Sequence, residues 1–202
     1  MMMKNKILEK FPKTRVDTHN CTRIYIADFT ERTESERGVE VSYNMPKCPK
    51  NPINDMDIMK IHNNLGLDVI FATFDDNSFK NAEGNDEAHS EGAFFIDGEE
   101  ESFFALYEIK DCKPTRISTY KQEIKNKIKC SSRIMRSNGI VPEKKIILGL
   151  VTFPRKNKGS FNDYFNNDYL EMKRILKENK INFFCSNNFN IKNSSNCNPL
   201  YE

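Results

Sequence analysis

The sequence lacks the long apolar segments of membrane and secreted proteins. None of its hydrophobic runs approaches the roughly 20 residues that span a bilayer. Its first residues, MMMKNKILEKFPKTR, contain no apolar stretch like the core of a secretory signal. We therefore expect a cytoplasmic protein with no membrane partner.

The cysteines and histidines lack the spacing of metal sites. The six cysteines are scattered, and no Cys-x-x-Cys pair occurs. His19, His62 and His89 show no mutual spacing that suggests zinc. A structural zinc site is therefore not expected, and for a cytoplasmic chain the default expectation is reduced thiols.

A large excess of charge of one sign is also missing. The 31 Lys and Arg residues are nearly balanced by 29 Asp and Glu residues, which leaves a formal net charge of +2. This balance does not by itself indicate a nucleic-acid-binding protein. Any basic binding surface must therefore be a local patch.

What the sequence does contain is a succession of helix and strand patterns typical of an α/β domain. Strand patterns occur at 22–27, 67–74, 92–97, 103–112, 145–153 and 181–191, and helix patterns at 54–66, 115–136 and around 165–176. We predict an α/β fold with a mixed central sheet that contains an antiparallel hairpin and is flanked by helices. The 202 residues are expected to form a single domain, 1–202. Its core would span about 52–191, residues 1–51 would be an N-terminal extension packed on the core, and the tail after 191 would be loose.

The second strand of the hairpin carries two opposite charges within an apolar run. Side chains alternate between the faces of a strand, so Glu108 and Lys110 share the face of Phe104 and Leu106. Both faces are largely apolar, which predicts a central strand, and burying either charge alone is costly. We therefore expect this end of the strand to open to a ligand. A carboxylate and an ammonium there can hold a divalent metal and a neighbouring water.

This part of the chain resembles the PD-(D/E)xK nuclease superfamily. The resemblance rests on an acid on a strand hairpin that is followed by Glu108-Ile109-Lys110, a helix and a strand. The resemblance covers roughly residues 55–153 and implies a restriction-endonuclease-like core. It implies hydrolysis of phosphodiester bonds, with DNA as the expected substrate and Mg²⁺ as the cofactor, for which Mn²⁺ can substitute. In that case Glu108 would ligate the metal, the Ile109 carbonyl would add an oxygen ligand, and Lys110 would orient or activate the attacking water.

The first acid of the motif has two main candidates. Asp97 begins the segment DGEEE, whose composition is that of a turn. With a loop over 98–101, Asp97 would lie about 20 Å from Glu108 at the rise of a strand. A single metal does not bridge that distance, so Asp97 ranks second as a metal ligand.

Glu91 is the preferred first acid because the same hairpin register brings it beside Glu108. The register pairs Glu91 with Glu108, Ala93 with Leu106, and Phe95 with Phe104. Side chains of directly opposed residues are about 5 Å apart, which suits a shared metal. The superfamily usually has Asp at this position, so Glu91 departs from its pattern. Further alternatives for the first acid are Asp86, Glu87 and His89.

The helix after the hairpin carries the candidate nucleic-acid contacts. These are Arg116, Lys121, Gln122 and Lys125. Lysines at every fourth position form a basic stripe that could hold a phosphate backbone. Many nucleases of the superfamily form homodimers to cut both strands, so the resemblance also implies a second copy of this chain as a partner.

A simpler interpretation of both features remains open. The basic stripe can be an ordinary solvated helix face. Glu108 and Lys110 can be a solvated ion pair on an edge strand, which contributes little stability. The protein would then be a non-catalytic interaction or immunity-type module, or an inactive nuclease relic that binds a nucleic acid or a protein.

Overall fold

The computed structural model describes residues 2–31, 41–47, 59–74, 79, 87–96, 103–110, 117–152, 166–193 and 196–199. The helices within them are α1 (Met2–Lys10), α2 (Ile117–Ser137) and α3 (Asn166–Glu178). The strands are β1 (Arg15–His19), β2 (Arg23–Glu31), β3 (Val41–Lys47), β4 (Met59–His62), β5 (Val69–Thr73), β6 (Gly92–Ile96), β7 (Phe104–Ile109), β8 (Ile147–Thr152), β9 (Ile181–Cys185), β10 (Asn188–Asn193) and β11 (Asn196–Pro199). The candidate residues Asp86, Asp97 and Arg116 lie outside the described part of the chain.

The centre of the fold is a six-stranded mixed sheet with the order β1-β5-β6-β7-β8-β9. Strands β5, β6 and β7 form an antiparallel meander, whereas β8 is parallel to β7 and β9 is parallel to β8. Parallel neighbours need a crossover connection, and α2 and α3 lie within the two crossovers. The predicted α/β fold with a mixed sheet and an antiparallel hairpin is confirmed.

The described helices cover one face of this sheet. Ile7 of α1, Ile128 of α2 and Leu176 of α3 belong to one buried cluster. From the sheet, Phe95 and Leu106 pack into the same cluster. Within the described residues, the predicted flanking helices therefore lie on one face of the sheet.

A second sheet, with the order β11-β10-β4-β2-β3, covers that other face. Ile24 of β2 and Ile61 of β4 are buried in a cluster with Phe71 and Phe94 of the central sheet. The molecule therefore has a helical layer, a central sheet and a second sheet, with an apolar core on each side of the central sheet.

Two predicted elements in the second sheet are wrong. Residues 59–62, expected in a helix over 54–66, form β4, in which Met59 and Ile61 are buried in alternation. The start of that predicted helix lies outside the described residues. The tail, expected to be loose, contains β11, which pairs with β10.

The N-terminal segment contributes to both sheets. β1 is an edge strand of the central sheet and pairs with β5. β2 and β3 pair with each other in the second sheet. Cys21, between β1 and β2, is disulfide-bonded, so the expectation of reduced thiols is wrong for this cysteine.

Two glycines allow close approaches in the central sheet. A Cβ at Gly92 would lie 2.6 Å from the Ala72 carbonyl oxygen and still closer to the Tyr107 hydroxyl. A Cβ at Gly149 of β8 would lie 3.3 Å from Cγ2 of Ile128 and 3.0 Å from Cγ2 of Ile181. The absence of a side chain at Gly92 therefore leaves room for the buried Tyr107. The absence of a side chain at Gly149 lets α2 pack closely on β8.

We expect Gly92→Ala to lower the free energy of unfolding by about 2 kcal/mol or more, because a methyl group has no space beside Tyr107 and a backbone carbonyl. Urea denaturation measures the change. Gly66→Ala is the matched control, since Gly66 has a left-handed φ of 63° but open space around it. Its cost should be only about 1 kcal/mol. Equal losses in the two variants would contradict this explanation.

Candidate active site

The hairpin register brings the two predicted acids together. Ala93 pairs with Leu106 and Phe95 with Phe104, so the predicted register is confirmed. At the open end of the hairpin, the backbone N–H of Glu91 donates a hydrogen bond to Oε2 of Glu108 at 3.2 Å. The two glutamates are thus neighbours across β6 and β7.

The side chain of Glu91 turns toward the end of β7. Its Oε2 accepts a hydrogen bond from the backbone N–H of Ile109 at 3.1 Å. The carboxylate of each glutamate is therefore held by the backbone beside the other glutamate. This reciprocal arrangement fixes both carboxylates at the carboxyl end of the strand.

Glu108 is fully buried and paired with two lysines. It follows Leu106 on the face of β7 that packs under α2, and its side chain is 0% exposed. Its Oε1 lies 2.9 Å from Nζ of Lys110 and 2.8 Å from Nζ of Lys127. Burial of a carboxylate without such partners would be strongly unfavourable, so the two ammonium groups account for its stability there.

Glu123 of α2 completes the group. Its Oε1 lies 2.7 Å from Nζ of Lys110 and 3.4 Å from Nζ of Lys127. We call these five side chains the acid–lysine cluster: Glu91, Glu108, Lys110, Glu123 and Lys127. With every group ionised, three carboxylates and two ammonium groups leave one negative charge.

The electrostatics of the cluster shift three of its titrations. Burial, followed by the nearby Glu108, raises the pKa of Glu91 to about 8, although the Ile109 N–H and the two lysines oppose the shift. Burial works to lower the pKa of Lys110, but Glu108 and Glu123 outweigh it and hold that pKa above its ordinary value. The hydrogen bond from Lys110 lowers the pKa of Glu123. Glu91 is therefore the carboxyl of the cluster that most readily keeps a proton.

The oxygen donors of the cluster fit a hard divalent cation. Mg²⁺ binds through one or two carboxylates and retains several waters. Glu91 and Glu108 provide the two carboxylates, which approach each other at the end of the hairpin. Among the described residues no set of three or more His, Cys, Asp or Glu side chains is arranged for a metal. A cation here would thus need backbone oxygen, such as the Ile109 carbonyl, and water.

The other candidates for the first acid are engaged elsewhere. Glu87 pairs with Arg133, and its Oε2 lies 3.0 Å from Sγ of Cys130. Nδ1 of His89 lies 2.9 Å from the carbonyl oxygen of Ser90. Neither side chain takes part in the ion pairs of the acid–lysine cluster.

The predicted nucleic-acid contacts lie on a different side of α2. Lys121, Gln122 and Lys125 line a cleft of about 80 Å³ with residues of α3, among them Glu171. Lys125 and Lys127 are two positions apart, which separates them by about 200° around the helix. The structure therefore does not bring the predicted contacts together with the two acids.

Sequence reasoning missed Lys127 and Glu123 as members of the site. A signal for Lys127 is present, because it lies between the buried residues Ile124 and Ile128 in a helix that returns across the sheet. A lysine so close to the buried stripe of a helix needs an acidic partner. The spacing of Glu123 and Lys127, four positions apart, is a second signal.

A larger cavity of about 680 Å³ lies at the other end of α2. Its basic lining residues are Lys129, Arg133, Arg136 and Lys180. Arg136 donates to the carbonyl oxygens of Pro142, Glu143 and Lys145, and Lys180 also donates to Glu143. These two cations thus hold the loop before β8 in place.

Comparison of the chain with protein-family models, with curated proteins and with solved structures gives no significant match. Among the described residues, no helix is both long enough and apolar enough to cross a membrane. The chemistry of the cluster itself is therefore the main guide to function.

Proposed function

We propose that this protein is a cytoplasmic, metal-dependent endonuclease that hydrolyses phosphodiester bonds, with DNA as its substrate. The observation that carries the proposal is the meeting of two carboxylates from neighbouring antiparallel strands beside a lysine. Glu91 and Glu108 are joined through the backbone of β6 and β7, and Nζ of Lys110 lies 2.9 Å from Glu108. Two acids and a lysine in this arrangement resemble the PD-(D/E)xK motif, with Glu91 at the position where the superfamily usually has Asp.

The order of the surrounding elements supports the same proposal. The hairpin of β6 and β7 is followed by α2 and then by β8, which lies parallel to β7. This is the hairpin, helix and strand succession on which the resemblance to restriction-endonuclease-like cores was based. Similar topology alone does not establish chemistry, so the weight rests on the acid–lysine cluster.

Each residue of the cluster has a distinct role in the proposed reaction. Glu91, Glu108 and the Ile109 carbonyl would hold Mg²⁺, for which Mn²⁺ can substitute. A bound Mg²⁺ supplies charge stabilisation at the phosphate and acidifies a water ligand. Lys110 stays protonated at neutral pH because its pKa is raised. Its ammonium is therefore suited to neutralise charge that develops on the phosphate, rather than to remove a proton.

The nucleic acid would approach over α2. Arg116, Lys121, Gln122 and Lys125 stay as proposed contacts to the phosphate backbone. Because Lys121 and Lys125 lie on the side of α2 that faces α3, they would hold phosphates away from the scissile one. A homodimer would place two clusters on the two strands of a duplex, and light scattering of the protein with and without DNA measures its oligomeric state.

The experiment that tests the proposal is cleavage with and without a divalent metal. We expect the protein to nick or linearise supercoiled plasmid DNA in Mg²⁺ or Mn²⁺ and to be inactive in EDTA. Parallel reactions with single-stranded DNA and RNA define the substrate class. Cleavage that persists in EDTA would contradict a metal-dependent mechanism.

One observation favours a second candidate, a non-catalytic interaction or immunity-type module or a nuclease relic. Oε1 of Glu108 already accepts two ammonium groups, from Lys110 and Lys127. In this second candidate, the closed cluster would stabilise the fold and have no catalytic role. This candidate predicts no binding of Mg²⁺ or Mn²⁺ and no cleavage of any nucleic acid.

A further inference from the structure

Lys127 occupies the oxygen of Glu108 that a metal would need. Its Nζ lies 2.8 Å from Oε1 of Glu108, and the same oxygen also accepts Lys110 at 2.9 Å. The other oxygen, Oε2, faces the backbone N–H of Glu91 at 3.2 Å. A cation that binds between Glu91 and Glu108 must therefore compete with an ammonium group for Glu108.

The charge of the cluster indicates that one ammonium group should leave when a dication enters. With Glu91 ionised, as it would be on binding a cation, three carboxylates and two ammonium groups leave one negative charge. A divalent cation added to the intact cluster would leave one positive charge in a largely buried place, which is unfavourable. If one lysine withdraws, the same cluster with its metal is neutral.

The structure distinguishes which lysine can withdraw. Nζ of Lys110 lies close to two carboxylates, 2.9 Å from Glu108 and 2.7 Å from Glu123. Lys127 is less tightly held, since its Nζ lies 3.4 Å from Glu123. The side chain of Lys127 is 24% exposed against 16% for Lys110. Its long flexible stem allows the ammonium to reach water.

We propose that Lys127 is an internal counter-ion that occupies Glu108 in the metal-free protein and is displaced by the incoming divalent cation. This inference rests on the proposed metal-dependent function and adds a regulatory step to the same site. Lys127 sets how much divalent metal the protein needs. Once displaced, its ammonium is free to meet water or a phosphate of the nucleic acid.

The test is Mn²⁺ binding, measured by titration calorimetry on the full chain without nucleic acid. We expect Lys127→Met to bind Mn²⁺ about tenfold more tightly than the unaltered protein, because the competing charge is gone and the carboxylates are less neutralised. Lys127→Arg keeps the charge and should bind like the unaltered protein. Lys129→Met is the matched control on α2, outside the cluster, and should also leave Mn²⁺ affinity unchanged.

The outcomes separate this inference from the proposed function. If Lys127→Met binds Mn²⁺ no more tightly than the unaltered protein, the counter-ion role is refuted while metal binding stands. If neither protein binds Mn²⁺, both the counter-ion role and the proposed function are refuted. If only Lys127→Met binds, the counter-ion role is supported, and the natural protein belongs to the non-catalytic candidate.

A second measurement follows the unaltered chain itself and uses a variant only to assign one signal. Lysine ammonium groups in ion pairs exchange slowly enough with water to be followed by NMR, and the signal of Lys127 is assigned by its absence in Lys127→Arg. We expect Mg²⁺ to abolish the protection of the Lys127 ammonium. Protection that persists at saturating Mg²⁺ would overturn the proposal.

Discussion

Glu108→Gln is expected to reduce Mg²⁺-dependent cleavage by about 100- to 1,000-fold. The carboxamide keeps the shape of the side chain but removes the negative charge that would hold the cation, and losses of this size are typical when one electrostatic element of an active site is removed. Lys110→Met should cause a similar loss by removing the cation beside the phosphate. The rate of plasmid nicking, measured at several Mg²⁺ concentrations, determines both effects.

The control for this prediction is Glu143→Gln, an exposed glutamate before β8 that lies outside the acid–lysine cluster. It should cleave at the unaltered rate. Circular dichroism should establish that the variants remain folded, because Glu108→Gln leaves Lys110 and Lys127 without their buried partner. Full activity in a folded Glu108→Gln variant would remove Glu108 from the mechanism.

The second large effect concerns Glu91 and the dependence of stability on pH. In the folded protein its pKa is about 8, against an ordinary value of 4.5. A raised pKa means that folding favours the protonated carboxyl. The stabilisation is complete below pH 4.5 and is lost as the pH rises through 8. The unaltered protein in EDTA should thus lose on the order of 5 kcal/mol of unfolding free energy between these limits.

Glu91→Gln should largely remove this pH dependence, because the amide resembles the protonated carboxyl and does not ionise. The variant should match the unaltered protein near pH 5 and be the more stable of the two at pH 9. Urea denaturation at both pH values measures the difference, with Glu143→Gln as a variant that should follow the unaltered protein. If Glu91→Gln loses as much stability between pH 5 and pH 9 as the unaltered protein does, Glu91 is not the group responsible. Saturating Mg²⁺ should also reduce the loss if the cation binds there.

Much of the central sheet was predictable because its strands have simple patterns. The strands β6, β7 and β8 are buried throughout, and their sequences are almost continuous apolar runs bounded by polar residues. In the sequence, the turn composition over 97–101 predicted the hairpin register, and that register predicted that Glu91 lies beside Glu108. The local pattern was therefore sufficient for two apolar strands that follow each other closely in the sequence.

The second sheet was not predictable in this way because its pairing is not local. β4 is paired with β2 and β10, which lie far from it in sequence. Asn63 and Gly66 resemble the end of a helix, but Asn63 exchanges two hydrogen bonds with the backbone of Leu67, and Gly66 takes a φ of 63° in a tight turn after a strand. The same residues can end either element.

The site was predictable only where it depends on the hairpin. Glu91, Glu108 and Lys110 lie on two strands whose register follows from the sequence. Lys127 and Glu123 reach them from α2, and their contact depends on how the crossover helix lies on the sheet. Helical periodicity gives the side of a helix on which a residue lies, but not the partner that it meets across the sheet.

The missing side chain at Gly149 has a consequence for the electrostatics of the cluster. Ile128 approaches β8 at this point, and Lys127 is the residue next to it in α2. A larger residue at 149 would move α2 outward and lengthen the ion pair between Lys127 and Glu108. In the proposed metal site, the affinity for a cation would therefore depend on the volume of an uncharged residue in the neighbouring strand, and the metal requirement could be changed without altering any ligand.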